Sequence, residues 1–310
     1  MVRLMSRLRC SIIALVFLAA CTTSHAATIT PHATEAITTT SATPARPVIL
    51  WAVGDAATCR SKQDDEIAAF LAQQPGIIAL LGDVVYERGT PEEFARCFDP
   101  LYGPLKDRLR PAVGNHEYGS RDAGPYFEYF GARAGLPGQG WYSYDLGEWH
   151  IIVLNSNCKP VGGCDEKSPQ YQWLKADLTT HPARCTLAYW HHPRWSSGEH
   201  GSFESMQPIW SLLVRSGVDI VLSGHDHDYE RFQPLDADGH PDPRHGTMQF
   251  VVGTGGRSLR PLGNPLPTSA IGTDTTFGVL RLELYPDHYS WEFVTIPGAN
   301  FTDSGSAACH

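Results

Sequence analysis

The chain is short of positive charge. Its 310 residues carry 24 Lys and Arg against 33 Asp and Glu, a formal net charge of −9. That balance disfavours nonspecific binding to nucleic acid or to an anionic membrane through a basic surface. It leaves an anionic substrate open, because bound metal cations invert the local field. Several signatures are missing as well. No Cys-x-x-Cys occurs, which weighs against a cysteine metal site. No His-Glu-x-x-His occurs, which weighs against a metal-dependent amidohydrolase of that type. No Gly-x-Ser-x-Gly elbow occurs, which weighs against a serine hydrolase. There is no internal repeat, and the apolar run Ile12 to Ala20 is too short to span a bilayer.

The rest of the composition is globular, 42% hydrophobic and 18% charged, and long enough for one substantial core. Residues 1–21 read as a targeting segment: Arg3, Arg7 and Arg9 form a basic n-region ahead of the apolar run. Without them the chain keeps 21 basic and 33 acidic side chains, a charge near −12. The run ends Leu18-Ala19-Ala20-Cys21, which resembles the lipobox of bacterial lipoproteins with Cys21 as the lipidated residue. Cleavage after Ser24-His25-Ala26, with release of the protein, is the alternative. Both routes lead out of the cytosol, to a lipid-anchored place in the cell envelope or to secretion. The cysteines agree with that. Cys10 and Cys21 belong to the leader, and six remain. Six in an exported protein suggest three disulfides. Cys158 and Cys164 flank Lys159-Pro160-Val161-Gly162-Gly163 and close a local loop. The other pairs are expected to be Cys59–Cys97 and Cys185–Cys309, although spacing alone does not choose among the fifteen possible connectivities.

Residues 22–46, rich in Thr, Ala and Ser, read as a flexible tether, and 47–310 as one domain. From Pro47 strands and helices alternate. Val48 to Val53 suits a buried strand. A helix starts near Ser61-Lys62-Gln63-Asp64, with Ile67, Phe70 and Leu71 on one face, and Gln74-Pro75-Gly76 stops it. Ile77 to Leu81 is the next strand. This βαβ unit predicts parallel strands with Asp55 and Asp83 at their carboxyl ends, where ligand sites of α/β sheets collect. Trp141 to Leu146 and Trp149 to Leu154 form a hairpin through Gly147-Glu148. Ser168-Pro169 opens a helix carrying Trp173, Leu174 and Leu178. Cys185 to Trp190 is a strand delivering His191. A helix with Ile209, Leu212 and Leu213 ends at Gly217, and Asp219 to Leu222 is the strand delivering His225 and His227. Phe250 to Val252, Val279 to Leu284 and Tyr289 to Val294 are expected to complete a second sheet. The fold class is α/β: two mixed β-sheets packed face to face and flanked by helices.

Four short patches carry the chemistry: Gly54-Asp55, Gly82-Asp83-Val84-Val85-Tyr86, Gly114-Asn115-His116-Glu117 and Gly224-His225-Asp226-His227. Imidazole is the commonest side-chain metal ligand near neutral pH, and residues two apart on a strand point to one side. Asp55, Asp83, Asn115, His191, His225 and His227 all follow strands. A single Gly-Asp is usually a turn and a single strand-end His usually a surface residue. Their joint recurrence in this order describes a two-metal hydrolase.

From Val48 to Val294 these motifs, with His191-x-Pro193 and Tyr229-Glu230-Arg231, resemble the calcineurin-like metallophosphoesterases, and among them the purple acid phosphatases and their compact bacterial relatives. The resemblance implies that Asp83 bridges two metals. It gives Asp55, Tyr86 and His227 to one metal and Asn115, His191 and His225 to the other. His191 fits the His-x-Pro motif; His192 is left to packing or outer support. Most calcineurin-like enzymes have a ligand His two residues after the first Asp. Here that residue is Ala57, and Tyr86 stands where the purple acid phosphatases place a tyrosinate. A phenol of pKa about 10 ionises at neutral pH only beside a strong Lewis acid. Fe(III) is the natural partner, with Zn(II), Fe(II) or Mn(II) as the second ion. The alternative reading of Tyr86 is a core aromatic at a strand end.

The same resemblance implies a phosphomonoesterase in which a metal-bound hydroxide attacks phosphorus directly, with metals about 3.5–4 Å apart. His116 is then the acid or a phosphate-binding residue. His200 matches a substrate-side histidine of the plant enzymes, whose second histidine is Gly201 here. Glu117 and Arg231 are expected in outer support, and Asp226 is expected to face outward. The purple acid phosphatases generally have glycine where Ala57 stands, and the separate N-terminal β domain of the plant enzymes has no room between the tether and the first motif. The motifs define the metal core and not the ester, so a phosphodiesterase or nucleotide pyrophosphatase stays open. A surface-tethered binding protein with structural metals is the reading from a different class. The expected partner is a phosphorylated small molecule. No nucleic acid is expected beyond a nucleotide substrate, and membrane only through the lipid anchor.

Overall fold

The computed structural model describes residues 46–296 and 299–310. The targeting segment, Cys10, Cys21 and nearly all of the tether lie outside the described residues. Among the described residues thirteen strands form two sheets. One runs in the order β13-β12-β11-β1-β2-β3, with β1 Val48–Val53, β2 Ile77–Leu81, β3 Leu109–Ala112, β11 Gly278–Leu284, β12 His288–Thr295 and β13 Ser304–Ala308. The other runs β10-β8-β9-β7-β6-β5-β4, with β4 Tyr142–Leu146, β5 Trp149–Val153, β6 Cys185–Tyr189, β7 Ile220–Ser223, β8 Tyr229–Phe232, β9 Met248–Val252 and β10 Ser269–Thr273.

Strand alternation builds the layers. Leu50 and Ala52 of β1 join Ala79 and Leu81 of β2 and meet Ile151, Val153, Leu187 and Leu222 of the other sheet in one buried core. The odd residues Trp51 and Val53 point the other way, under Ile67 and Leu71 of helix α1 (Gln63–Gln73) and under Phe94, Phe98 and Phe130. Phe130 ends the short helix α2 (Gly124–Phe130). Ile152, Ala188 and Val221 face outward under Leu174 of α3 (Pro169–Thr180) and Trp210 and Leu213 of α4 (Gln207–Arg215). Each fully buried aliphatic side chain of this kind contributes about 1.5–3 kcal/mol. Both sheets are therefore covered on their outer faces, and the expected sandwich is observed.

The βαβ unit is as expected: β1 and β2 are parallel. The hairpin pairs Leu146 with Trp149 across Gly147, whose φ of 63° suits glycine. Ser168 caps α3 by accepting from the Tyr171 amide, with Pro169 at the first helical position. One expectation fails. Phe250 to Val252 do not share a sheet with Val279 to Leu284 and Tyr289 to Val294. β9 lies parallel to β7, whereas β11 pairs antiparallel with β1. An apolar strand does not declare its neighbour, and pairing here is decided by crossovers. All three expected disulfides form: Cys59–Cys97, Cys158–Cys164 and Cys185–Cys309. Among the described residues no helix is long and apolar enough to cross a membrane.

Candidate metal centre and active site

The carboxyl ends of β1, β2, β3, β6 and β7 open at one edge of the sandwich, and each hands a candidate ligand to the same place. Two clusters of ligand atoms result. In the first, Tyr86 Oη lies 2.7 Å from Asp55 Oδ1, 3.1 Å from Asp83 Oδ2 and 3.3 Å from His227 Nε2. In the second, His191 Nε2 lies 3.2 Å from Asp83 Oδ2, 3.1 Å from Asn115 Oδ1 and 3.2 Å from His225 Nδ1. Asp83 Oδ2 belongs to both.

The backbone is bent to achieve this. Asp55, Asp83 and His225 adopt φ of 59°, 47° and 72°, left-handed conformations that disfavour residues with a Cβ by about 1–3 kcal/mol each. Neighbouring bonds hold them there. The His225 amide donates to Asp55 Oδ2 at 2.8 Å, and the His116 amide to Asp83 Oδ1 at 2.8 Å. Glycines clear the space. A Cβ on Gly114 would collide with the Asp83 carboxylate and amide, and one on Gly82 would sit 2.7 Å from the His191 ring. Glu117 is buried beneath, accepting from the amides of Asp83 (3.1 Å), Val84 (2.9 Å), Val85 (3.3 Å) and Gly114 (2.8 Å). It ties the Asp83 loop to the Asn115 loop.

The donor set fits a pair of cations. Tyr86 Oη has one proton and faces two carboxylate oxygens and an imidazole nitrogen. His191 Nε2 has at most one proton and faces a carboxylate, an amide oxygen and a second imidazole. One proton cannot satisfy the two oxygen acceptors that face it at either point, whereas one cation at each point can be held by all the facing atoms. The electrostatics agree. Burial pushes the Tyr86 phenol well above its ordinary pKa, and the charges of Asp55 and Asp83 push it further, so only a strong Lewis acid would ionise it. Burial resists charge on His191, yet the adjacent Asp83 carboxylate outweighs it and lifts the imidazole to about 9. His225 goes the other way, pushed down by burial and by the neighbouring His191.

His116 borders the first cluster. Its Nδ1 lies 2.5 Å from the Glu87 carbonyl, which can only accept, so Nε2 is the free nitrogen. That nitrogen is 3.7 Å from Asp83 Oδ2. His192 bonds Ser156 Oγ through Nδ1 at 2.8 Å, although its ring lies 4.3 Å from His225 and it could converge on one ion with His191 and His225. Burial and the neighbouring His191 lower it to about 3. His200 is exposed and stacks on His225 at 4.5 Å.

Two expectations need revision. Asp226 does not face outward: it is fully buried, accepting from the Ser196 hydroxyl and from the His200 amide at 2.7 Å. It anchors the loop that carries His200. Arg231 spends its hydrogen bonds on Asp303, at 2.7 and 2.9 Å, and not on the ligand cluster. Sequence reading also missed Ser258, whose hydroxyl meets His227 Nδ1 at 2.8 Å and fixes the ring. Its only sequence signal was the glycine-rich turn Gly253-Thr254-Gly255-Gly256 after β9.

The fold and the shared carboxylate together define a metallophosphoesterase class of site. Residues 49–229 match the family model described as calcineurin-like phosphoesterase, and the chain belongs to that family. Among curated proteins, it is 31% identical to purple acid phosphatase 22 of Arabidopsis thaliana over 249 residues, 71% of this chain and 54% of that protein. It is 26% identical to a nucleotide pyrophosphatase/phosphodiesterase of Hordeum vulgare over 247 residues, 67% of this chain and 65% of that protein. The purple acid phosphatase PPD1 from yellow lupin seeds superposes with a TM-score of 0.75 at 19% identity, covering 84% of this chain and 53% of that one. The chain spans about half the length of the purple acid phosphatases it matches, 46% and 54% in two cases.

Proposed function

We propose that the domain at 47–310 is an exported phosphomonoesterase with two metal ions. The carrying observation is Asp83 Oδ2, within 3.1 Å of Tyr86 Oη on one side and 3.2 Å of His191 Nε2 on the other. Asp55, Tyr86 and His227 would hold Fe(III), since hard anionic oxygen favours a hard ion. Asn115, His191 and His225 would hold Zn(II), Fe(II) or Mn(II), and Asp83 both ions. Two such cations supply a water activated near neutral pH and positive charge for the phosphoryl oxygens.

The protein's own groups do the rest. His116, with Nδ1 committed to Glu87, presents Nε2 for carrying a proton to the leaving oxygen. His200 and its neighbour His225 bound the substrate side. Glu117 and Asp226 keep the loops in register. Three disulfides support an extracytoplasmic location. Lipid attachment at Cys21 is part of the proposal, and intact mass of the membrane-extracted protein tests it.

The experiment is metal analysis combined with a panel of mono- and diesters, run on the wild type and on Asn115→Ala. Turnover is expected to fall about 100-fold or more in the variant, with the unfolding midpoint nearly unchanged. Undiminished hydrolysis after exhaustive chelation would sink the reading. A large stability loss with no esterase activity in the wild type favours structural metals instead. The barley relative supports a second reading, in which diesters or pyrophosphates are the better substrates.

A further inference from the structure

β5 runs parallel to β6 and β7, whose carboxyl ends carry His191 and His225. His150, the second residue of β5, therefore lies at the far end of the sandwich from the metal centre. A groove of about 890 Å³ opens there, with His150, Asp145 and Glu148 on one side and Arg184, Asp287 and His288 on the other. Two histidines and a carboxylate converge behind its wall. His150 Nε2 lies 2.8 Å from Asp177 Oδ2, and His181 Nδ1 lies 3.2 Å from Asp177 Oδ1. The two imidazoles are nearly parallel, 11° apart with centroids at 5.1 Å. One ligand atom from each of the three residues falls within 4.8 Å of the other two. His150 and Asp177 are buried, whereas His181 is 52% exposed and opens the cluster to solvent.

Protons fill this cluster poorly. His150 faces a carboxylate oxygen at both nitrogens, Asp145 Oδ1 at 3.0 Å from Nδ1 and Asp177 Oδ2 at Nε2. Serving both takes an imidazolium. Burial resists that charge and the two carboxylates favour it, so the ring keeps its second proton only up to a raised pKa. Above it, one nitrogen aims a lone pair at a carboxylate. A cation on Nε2 removes the conflict, because Nδ1–H still donates to Asp145 and Asp177 gains an opposite charge. An imidazole ligand whose other nitrogen donates to a carboxylate is the usual support of bound zinc. Two neutral imidazoles with the Asp145 and Asp177 carboxylates then balance one divalent ion. The place is favourable too: His181 follows the last residue of α3, where the helix dipole attracts positive charge. Ser143 Oγ donates to Asp177 Oδ1 at 2.8 Å and steadies the carboxylate.

We propose that His150, Asp177 and His181 form a further metal site, separate from the metal centre, for a divalent transition-metal ion. Two imidazoles and one carboxylate suit Zn(II) and not Mg(II) or Ca(II), which take oxygen ligands. Ligand atoms around tetrahedral zinc stand about 3.3 Å apart, near the 2.8 and 3.2 Å found here. Three protein ligands leave one position for water, which the exposed side of His181 admits. The ion ties the carboxyl end of α3 to the β4–β5 hairpin. Its role is structural, and it stands or falls independently of the phosphoesterase reading.

The test adds zinc near neutral pH to the full chain with its metal centre already loaded, and compares wild type with His181→Ala and Asp145→Asn. Both substitutions fall on exposed side chains, so the fold should survive them. Elemental analysis should find one more zinc per chain in wild type than in His181→Ala. Asp145→Asn should keep the ion but hold it about 10–100-fold more weakly against a chromophoric chelator, as expected for an outer partner. Zinc at about a hundredfold over its dissociation constant should raise the wild-type unfolding midpoint by about 5–10 °C more than that of His181→Ala. Turnover of phosphate esters should be equal in all three. Equal zinc content with equal midpoint shifts in wild type and His181→Ala overturns the proposal and leaves His150 held by protons alone. An extra ion whose loss also abolishes turnover overturns it as well, since that ion would belong to the metal centre. Zinc content and midpoints decide the matter even if the protein hydrolyses no ester.

Discussion

Tyr86→Phe removes one oxygen and keeps the ring. The ring retains its packing against His116 at 4.3 Å and under the Arg257 guanidinium at 5.1 Å, so the fold should survive. What disappears is the donor 2.7 Å from Asp55 Oδ1 and 3.1 Å from Asp83 Oδ2. In the metal-free protein, loss of a hydrogen bond to a carboxylate lowers stability by about 1.5–3 kcal/mol. The iron-loaded protein gives the sharper readout. Wild type should show a visible tyrosinate-to-iron absorption band, and the variant none at any iron content. Affinity should fall about 100-fold, the upper end of what loss of an outer partner produces. At saturating iron that removes about 2.7 kcal/mol of binding-linked stability. For a domain of this size the midpoint then rises about 5–10 °C less on adding iron than in wild type. Iron content, absorption and thermal unfolding measured side by side decide it. A band that persists in Tyr86→Phe, or its absence from active iron-loaded wild type, refutes the ligand assignment.

Glu117→Ala strips four buried amides of their acceptor and should cost about 3–5 kcal/mol, read as a midpoint lower by roughly 10 °C; a drop under about 3 °C would show that Glu117 is not the tie between the loops. At the far end of the sandwich, His150 donates to Asp145 at 3.0 Å and Asp177 at 2.8 Å. Burial resists its charge, but those carboxylates raise its pKa; Asp177, also opposed by burial, is lowered chiefly by His150. The His150 contribution is full below its unfolded pKa of about 6.5 and fades as pH rises through the raised value. The Asp177 contribution is full above about 3.9 and fades as pH falls through the lowered value. The stability gap between wild type and His150→Gln should therefore be widest near pH 5–6 and narrow above neutrality; a gap independent of pH counts against the pair. Cys185→Ser with Cys309→Ser opens a link spanning 124 residues and should lower stability by about 2–5 kcal/mol in denaturant titrations; an unchanged midpoint would argue that β13 is held by its ladder alone.

Much of the site was legible because its signals are local. Asp55, Asp83, Asn115, His191 and His225 each follow an apolar strand within a few residues, and the chemistry of a carboxylate, amide or imidazole travels with the residue. Gly82 and Gly114 announce backbone close approach in the same way. The βαβ unit, the Gly147 hairpin and the Ser168 cap rest on equally short-range rules. Asp226 was misread for the same reason. It sits between two histidines that face the cluster, in the turn after β7 where strand alternation does not apply, and its carboxylate points to one side of that turn. That side is not solvent but the underside of the loop 196–200, which comes from elsewhere in the chain.

The sequence by itself determined the strand periodicity, the parallel start of the sheet, and an ordered set of metal-competent side chains. Those follow from repeat lengths of two and 3.6 residues and from steric limits on single turns. Tertiary structure alone decided that β9 joins β7 while β11 joins β1, that Ser258 steadies His227, and that Asp177 meets His150. Each depends on contacts between residues tens of positions apart, whose pairing is set by crossovers and burial across two sheets and leaves no local mark in the chain.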